Sequence, residues 1–467
     1  MLLGYYSVSS RSKEQMALIK GGHEIPYLRY LLALILSSLL VPLSLASIQE
    51  PVCQRALIVA GICLVLWLTE VVPPFVPTLV LWALTPLLLF RFGPQFRLDR
   101  VLAWSANPVL GLFLGGFALS VAASRYGIDS FIANLAVYLS RGSKLRLIAA
   151  TIVVTASLSM WMSNIAAAAM IIAALRPLLN EVPKHDSFRR ALLLAIALAA
   201  NFGGIATPIG TGPNAIAIAA VSSRHEITFS SWMIFGFPLA LGLLFLGAIF
   251  LSVRFDLRGS ISHFQRVSVQ PIGRPARLVI TLFFMTVLAW LSEPLHGVSA
   301  ATVALITTAI LFGSRLLKPQ DLTRIDWSTL LLIAGGIALG NLLEQSGTIR
   351  LANASIPWQQ LPQTQRLFAL CFVSAAMSAL MSNTASVTML IPLAAGIDPS
   401  PSTAILIAVA ASLGIPFAIS TPPNAMVYGE GGVTFSDLAV PGFILMLVGC
   451  FIVSSTGPLV LHAVGIP

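Results

Sequence analysis

The sequence predicts an all-α integral membrane protein: a first helix, then two inverted five-helix repeats. Each repeat adds one re-entrant hairpin and one broken helix, for eleven spans and two hairpins in all. Three observations lead there. The 467 residues are 57% hydrophobic and only 9% charged, with a mean hydropathy of +0.91, whereas soluble domains carry about 25% charged residues. The apolar runs approach or exceed the ~20 residues that carry a helix across a bilayer, without the short alternation of an outer-membrane barrel. Polar, proline-containing interruptions also fall at corresponding places in the two halves of the chain.

Taken in order, residues 1–54 comprise a polar tail with Arg11, Lys13, Glu14 and Lys20, then the first apolar run, 27–47. The tail is a poor match to a cleaved signal peptide. Residues 55–253 form the first repeat: apolar runs at 56–73, 76–90 and 107–124, a hairpin at 145–178, a broken helix at 188–222, and a run at 231–253. The charged stretch 254–275 is a cytoplasmic linker. Residues 276–467 form the second repeat, with runs at 276–292, 297–313 and 328–345, a hairpin at 366–397, a broken helix at 402–428 and a final run at 438–463. The hairpins are long and polar in the middle, at Ser163-Asn164 and Ser382-Asn383. Gly210-Thr211-Gly212-Pro213-Asn214 and Ser420-Thr421-Pro422-Pro423-Asn424 interrupt the broken helices. Breaks at membrane depth free backbone groups that hydrocarbon cannot satisfy, so these loops must line a cavity or lie within protein.

The halves repeat each other. Ser159 to Ile172 aligns with Ser378 to Ile391 at an offset of 219, with seven of fourteen positions identical, including every polar one of the first copy. Thr211-Gly-Pro-Asn-Ala215 matches Thr421-Pro-Pro-Asn-Ala425 at 210. Gly115-Gly-Phe-Ala-Leu119 matches Gly335-Gly-Ile-Ala-Leu339 at 220, and Trp67-Leu-Thr-Glu70 matches Trp290-Leu-Ser-Glu293 at 223. Interrupted segments at matching places point to a transporter with its binding site at the repeat interface.

Charge sets the orientation. With both hairpins re-entrant and a cytoplasmic N-terminus, twenty of the 27 Lys and Arg residues fall inside and seven outside. That bias follows the positive-inside rule and makes the halves face opposite ways. Counting both hairpins as full spans would instead make them parallel.

Absences narrow the chemistry. Cys53, Cys63, Cys371 and Cys450 form no C-x-x-C pair and read as small apolar residues in helices. The six histidines are scattered, and no Walker loop appears. The composition excludes a soluble enzyme, a nucleic-acid binder and a disulfide-stapled secreted domain.

The paired motifs Ser163-Asn164-Ile165 and Ser382-Asn383-Thr384, with their downstream Pro-Asn loops and Thr69-Glu70, resemble the divalent anion/sodium symporter family over nearly the whole chain from about residue 56. The resemblance implies an eleven-span fold with two hairpins, a homodimer, and an elevator motion of a transport domain against a scaffold. It implies one cation site at Ser159, Ser163, Asn164 and the carbonyl of Gly210, and a second at Ser378, Asn383 and the carbonyls of Met381 and Ser420. It implies substrate contacts at Ser163, Asn164, Thr211, Ser382, Asn383, Thr384, Thr421 and Pro422. Ile165, where threonine is usual, and Gly212, opposite Pro422, depart from the pattern.

The residues themselves suit that role. Half-helix N-termini offer N–H groups and partial positive charge to an anion, and freed carbonyls and hydroxyls suit Na⁺. Asparagine supplies both an amide donor and a carbonyl acceptor. No Lys or Arg lies in either tip or loop, so a dianion would be held by dipoles, amides and co-bound cations. An asparagine repeated at mid-membrane is too costly for packing alone, whereas Ser159 and Ser378 could also serve close helix packing. Glu70 and Glu293, each beside a proline-containing loop at a segment end, read as interfacial caps rather than a proton relay. Glu344 and Glu430 are also interfacial, and Trp67, Trp161 and Trp290 read as packing or belt residues.

The expected activity is Na⁺-coupled import of a C4-dicarboxylate such as succinate or malate, or of sulfate, across the cell membrane. A Na⁺-independent anion exchanger of the same fold, an arsenite or other-anion permease, and a non-transporting membrane protein are the alternatives. The partners are a small anion and the lipid bilayer, with no nucleic acid. In this topology the linker faces the cytoplasm and the C-terminus the exterior. Cysteines introduced at Ser260 and Pro467 should therefore react from opposite sides; labelling of both from one side contradicts the inverted arrangement.

Overall fold

The computed structural model describes residues 50–222, 225–261, 272–350 and 361–466. The expected first span at 27–47, the middle of the linker and residue 467 lie outside them. Helix dominates. Among the described residues the β pairing is a single bridge between Ser143 and Ser260.

Most helices begin where the sequence supplies a start signal. Proline, which needs no N–H there, opens α1 (Pro51–Thr69) and sits in the first turn of α2 (Val76–Leu89). After a short α3 (Leu98–Ala103), the Asn107 side chain caps α4 (Pro108–Arg125). α5 (Ile128–Ser140) then runs between Gly127 and Arg141, both left-handed. The sequence reading placed no element there, because the 13 residues are too short and too mixed with Asp129, Ser130 and Asn134 for a span. α6 (Lys144–Ser159) and α7 (Asn164–Glu181) are joined by a turn at 160–163. α8 (Ser187–Gly203) is capped by Asp186 and ends in the 3₁₀ turn Gly204–Ala206; after the loop to Thr211 comes α9 (Gly212–Val221). α10 (Phe229–Arg254) completes the half.

The second half runs through α11 (Arg274–Leu291), the short α12 (Glu293–His296), α13 (Ala300–Gly313) and α14 (Trp327–Gln345). α15 (Gln363–Leu380) and α16 (Asn383–Ile397) form the second helix–turn–helix pair. α17 (Pro401–Ala411) and α18 (Pro422–Gly429) flank the second break, and α19 (Phe435–Ala463) closes the described chain.

Among the described residues seven helices are long and apolar enough to cross a membrane: α1, α4, α8, α10, α11, α14 and α19. α2 and α13, drawn as spans from the sequence, have only 14 residues each, about 21 Å against a hydrocarbon core of about 30 Å. α2 is prolonged by the 3₁₀ turn Phe90–Phe92. The core sits around α8 and α17, whose side chains are almost all buried.

Two features of the packing position the site. The half-helices exchange: α9 packs on α16 and α17 of the second half, and α18 packs on α7 and α8 of the first. The duplicated Gly-Gly pairs allow close crossings. A Cβ on Gly115 would lie 2.5 Å from that of Ala304 on α13, and one on Gly335 would lie 2.0 Å from Thr78 Oγ1 on α2. Ion pairs Arg176–Glu430 (2.7 Å) and Arg190–Asp437 (3.2 Å) tie the two halves at one end.

The Gly-Gly crossings yield a stability prediction. Gly115→Val and Gly335→Val should each destabilise the purified protein by about 1–3 kcal/mol through overpacking. Gly242→Val, on α10 with nothing within 4 Å of its Cβ position, should cost much less. Thermal unfolding in one detergent checks this; equal shifts in all three would contradict it.

Candidate functional site

The two tips and two breaks meet in one cavity of about 920 Å³ between the halves. Ser163, Asn164, Ile165, Gly210, Thr211 and Gly212 line it from the first half, and Ser382, Asn383, Thr384, Ser420, Thr421 and Pro422 from the second. Every proposed substrate contact is therefore on this wall. Ser159, Ser378 and Met381 are not; they lie buried behind the tips.

The buried serines set the asparagines. Ser159 Oγ lies 2.7 Å from Asn164 Oδ1 and 2.6 Å from the Ala200 carbonyl. Ser378 Oγ donates to Asn383 Oδ1 at the same 2.7 Å. In this assignment each amide oxygen faces its own serine, and among the described residues neither amide NH₂ has a protein acceptor. Two amide donors are left for whatever occupies the cavity. Ser163 Oγ accepts from the Ala166 N–H and caps α7.

The breaks are held the same way in both halves. Asn214 Nδ2 donates to the carbonyls of Gly204 (3.0 Å) and Thr207 (2.8 Å). Asn424 Nδ2 donates to those of Ile415 (2.8 Å) and Phe417 (3.0 Å). Each amide thereby ties together two carbonyls of its break, of which Thr207 and Phe417 also accept the backbone N–H groups of Gly210 (3.3 Å) and Ser420 (3.2 Å). α7, α9, α16 and α18 all start at the cavity wall, so four helix N-termini bring partial positive charge to it. No Lys or Arg is among the lining residues, and the acidic ones are Glu70 and Asp326.

Some lining residues escaped the sequence reading. Asn201, on α8, is only 1% exposed. Its Nδ2 donates to Asn424 Oδ1 across the halves at 2.9 Å, and its own Oδ1 has no partner. Its counterpart at the loop offset is Ala411, so comparing the repeats could not flag it. Gly204 is a second. A Cβ there would fall 2.7 Å from Asn164 Oδ1 and 2.9 Å from the Gly210 carbonyl, so its missing side chain leaves a space where two oxygens converge. The departures from the motif also gain a setting. A Cβ on Gly212 would lie 2.5 Å from Thr384 Oγ1, so the second tip reaches over a glycine of the first loop. Ile165 is 49% exposed and faces the cavity rather than helix packing.

The remaining residues are structural. Trp67 and Trp290 are buried, donating to the Pro74 and Ala300 carbonyls, each at 2.9 Å. Glu293 is a buried cap, and Glu430 pairs with Arg176.

The geometry, a cavity into which two polar turns and two helix breaks project between exchanged half-helices within a bundle of apolar helices, is that of a membrane transporter. The citrate transporter family profile matches residues 64–404. The chain belongs to this family, in keeping with the divalent anion/sodium symporter resemblance, and is a multi-pass membrane transporter rather than an enzyme. An uncharacterized transporter of Haemophilus influenzae is 29% identical over 87% of this chain and 92% of its own. The sodium-dependent dicarboxylate transporter SdcS of Staphylococcus saprophyticus is 28% identical over 91% and 90%, and that of Staphylococcus aureus 26% over 83% and 82%. The YdaH transporter structure from Alcanivorax borkumensis superposes with a TM-score of 0.55 at 13% identity, covering 84% of this chain and 98% of that one, a likeness of fold.

Proposed function

We propose that the protein is a secondary transporter that carries a C4-dicarboxylate, or a similar divalent anion such as sulfate, together with Na⁺ across the cell membrane. One observation carries this reading: two serine-held asparagines, their amide NH₂ groups without a protein acceptor among the described residues, line a cavity at which four helices start and that no Lys or Arg lines. Neutral donors bind an anion, yet a dianion among neutral groups needs compensating charge. Co-bound cations supply it. The staphylococcal relatives, sodium-dependent dicarboxylate transporters, support both the substrate class and the coupling ion.

In this reading Ser163, Asn164 and Thr211 of the first half, with Ser382, Asn383, Thr384, Thr421 and Pro422 of the second, contact the anion. One Na⁺ sits with Ser159, Ser163, Asn164 and the Gly210 carbonyl, the other with Ser378, Asn383 and the carbonyls of Met381 and Ser420. The space over Gly204 supports the first: Asn164 Oδ1 and the Gly210 carbonyl converge there, and oxygen donors of this kind suit Na⁺. The helix–turn–helix pairs are re-entrant hairpins of two inverted repeats. The exposed residues Glu70, Pro73 and Pro74 mark the mouth of the cavity, which faces the cytoplasm when the N-terminus does. The homodimer and the elevator motion implied by the family resemblance belong to the same reading.

Uptake of radiolabelled succinate, sulfate and citrate into proteoliposomes tests it. We expect a Na⁺ gradient to drive uptake of succinate or sulfate with a Hill coefficient for Na⁺ above one. Equal uptake in sodium and choline buffers would favour the exchanger instead. Gly204→Ala should raise the Na⁺ concentration for half-maximal uptake, because its methyl enters the oxygen-lined space.

The substrate's two ends are held unequally, because Thr384 offers a hydroxyl where Ile165 offers hydrocarbon. Thr384→Val should weaken succinate affinity about tenfold or more, the loss of a hydrogen bond to a charged oxygen. Ile165→Val should change it little, and Ile165→Thr should strengthen it by up to about tenfold. Affinities measured for the three variants decide the point; a silent Thr384→Val would remove the tips from the substrate site.

A further inference from the structure

The two halves match in sequence at a further point. Thr228-Phe229-Ser230 at the start of α10 corresponds to Thr434-Phe435-Ser436 at the start of α19. Together with Trp67 to Glu70 and Trp290 to Glu293, this defines two equivalent junctions, each made of a helix end carrying Trp and Glu and a helix start carrying Phe. They are in opposite conditions.

At one junction everything is engaged. Glu293 is 7% exposed, and its Oε2 and Oε1 accept the N–H groups of Phe229 (3.1 Å) and Ala300 (3.0 Å). Phe229 is 1% exposed and stacks on Trp290, ring centroids 4.8 Å apart. Trp161, from the turn of the first hairpin, stacks on both, at 6.1 and 6.4 Å. The aromatic side chains and the carboxylate pack this junction together.

At the other junction Glu70 and Leu380 lack these contacts, and Phe435 stacks instead on Phe417, ring centroids 6.0 Å apart. Glu70 is exposed at the cavity wall, with no side-chain partner among the described residues. Phe435 is 61% exposed, and Leu380, the counterpart of Trp161, is 66% exposed. Among the described residues the Phe435 N–H has no acceptor. Only Trp67 is already buried, its indole bonded to Pro74 just as that of Trp290 is bonded to Ala300.

We propose that Glu70 and Glu293 are exchanging caps that hold the two opposed states of the transport cycle. In the state described here Glu293 holds the start of α10 and closes one side. In the opposite state Glu70 accepts the Phe435 N–H, Phe435 packs against Trp67 and Leu380, and Glu293 lets go of Phe229. A carboxylate accepting an N–H at a helix start combines a charge-assisted bond with a favourable dipole, strong enough to bias a two-state equilibrium and exchangeable because each state offers one. Glu70 and Glu293 are then positioning residues. The proposal rests on the elevator motion of the proposed function and names contacts that would hold its two end states.

Crosslinking tests it without relying on substrate identity. In the full-length protein in lipid, cysteines replacing Glu70 and Phe435 should form an oxidative crosslink as the opposite state is visited; the four native cysteines are buried and contribute little background. Adding Glu293→Ala, which weakens the present state, should speed that crosslink about tenfold. Absence of the crosslink in both backgrounds, or a rate indifferent to residue 293, overturns the proposal. Separately, Glu70→Ala should leave substrate affinity unchanged while lowering turnover about tenfold, with Glu70→Asp partly restoring it. A matched loss of affinity, or full turnover, would make Glu70 an ordinary site or surface residue. Failure of wild-type uptake would count against the transport reading alone, since the crosslink would still report the exchange.

Discussion

A helix broken inside a membrane protein frees carbonyls that neither water nor lipid can satisfy, and the rest of this structure depends on how two asparagines solve that. Asn214 and Asn424 each bridge two carbonyls of their own break, 204 and 207 in the first half, 415 and 417 in the second, and a backbone N–H from Gly210 or Ser420 shares the second of each pair. With the breaks fixed, α9 and α18 restart at positions set by Thr211 and Thr421. Each half-helix can then lean on the opposite half's hairpin. The N-termini of four helices converge on one cavity as a result, and Asn201 locks the arrangement by bonding Asn424 across the halves.

The scaffold is close to symmetric, and the chemistry on it is not. Ser159–Asn164 and Ser378–Asn383 are equal in length and role, as are the two Trp–carbonyl bonds. The lining departs from that equality at Ile165 against Thr384 and at Gly212 against Pro422. Gly212 and Thr384 are linked by space: the threonine hydroxyl approaches where a side chain on residue 212 would sit. A binding surface gains selectivity from such differences, and the duplicated serine–asparagine bonds beneath it hold both tips in the same way.

Much of this was legible in the sequence for a physical reason. Polar residues inside apolar runs stand out, and duplication made Ser163-Asn164, Ser382-Asn383 and the two Pro-Asn loops stand out twice. Of the two acids read as caps, Glu293 adjoins a proline and a helix start and does cap, whereas Glu70 is exposed and has no side-chain partner among the described residues. What escaped had no duplicate or no period. Asn201 pairs with Asn424 but has alanine as its counterpart; Asp326 lines the cavity from a helix start with Ala106 in the matching place. α5 is too short and too polar for a span. Gly204 matters through what it lacks, and only packing reveals that.

The proposed role of Na⁺ is to supply the positive charge that a cavity without Lys or Arg lacks. The most direct measurement is succinate binding to the purified protein by calorimetry, in sodium and in choline at equal ionic strength, with no gradient and no turnover. The account predicts affinity that rises steeply with Na⁺ and disappears in choline. Equal affinity in both buffers would contradict it, because the neutral donors of the tips and helix starts would then suffice alone.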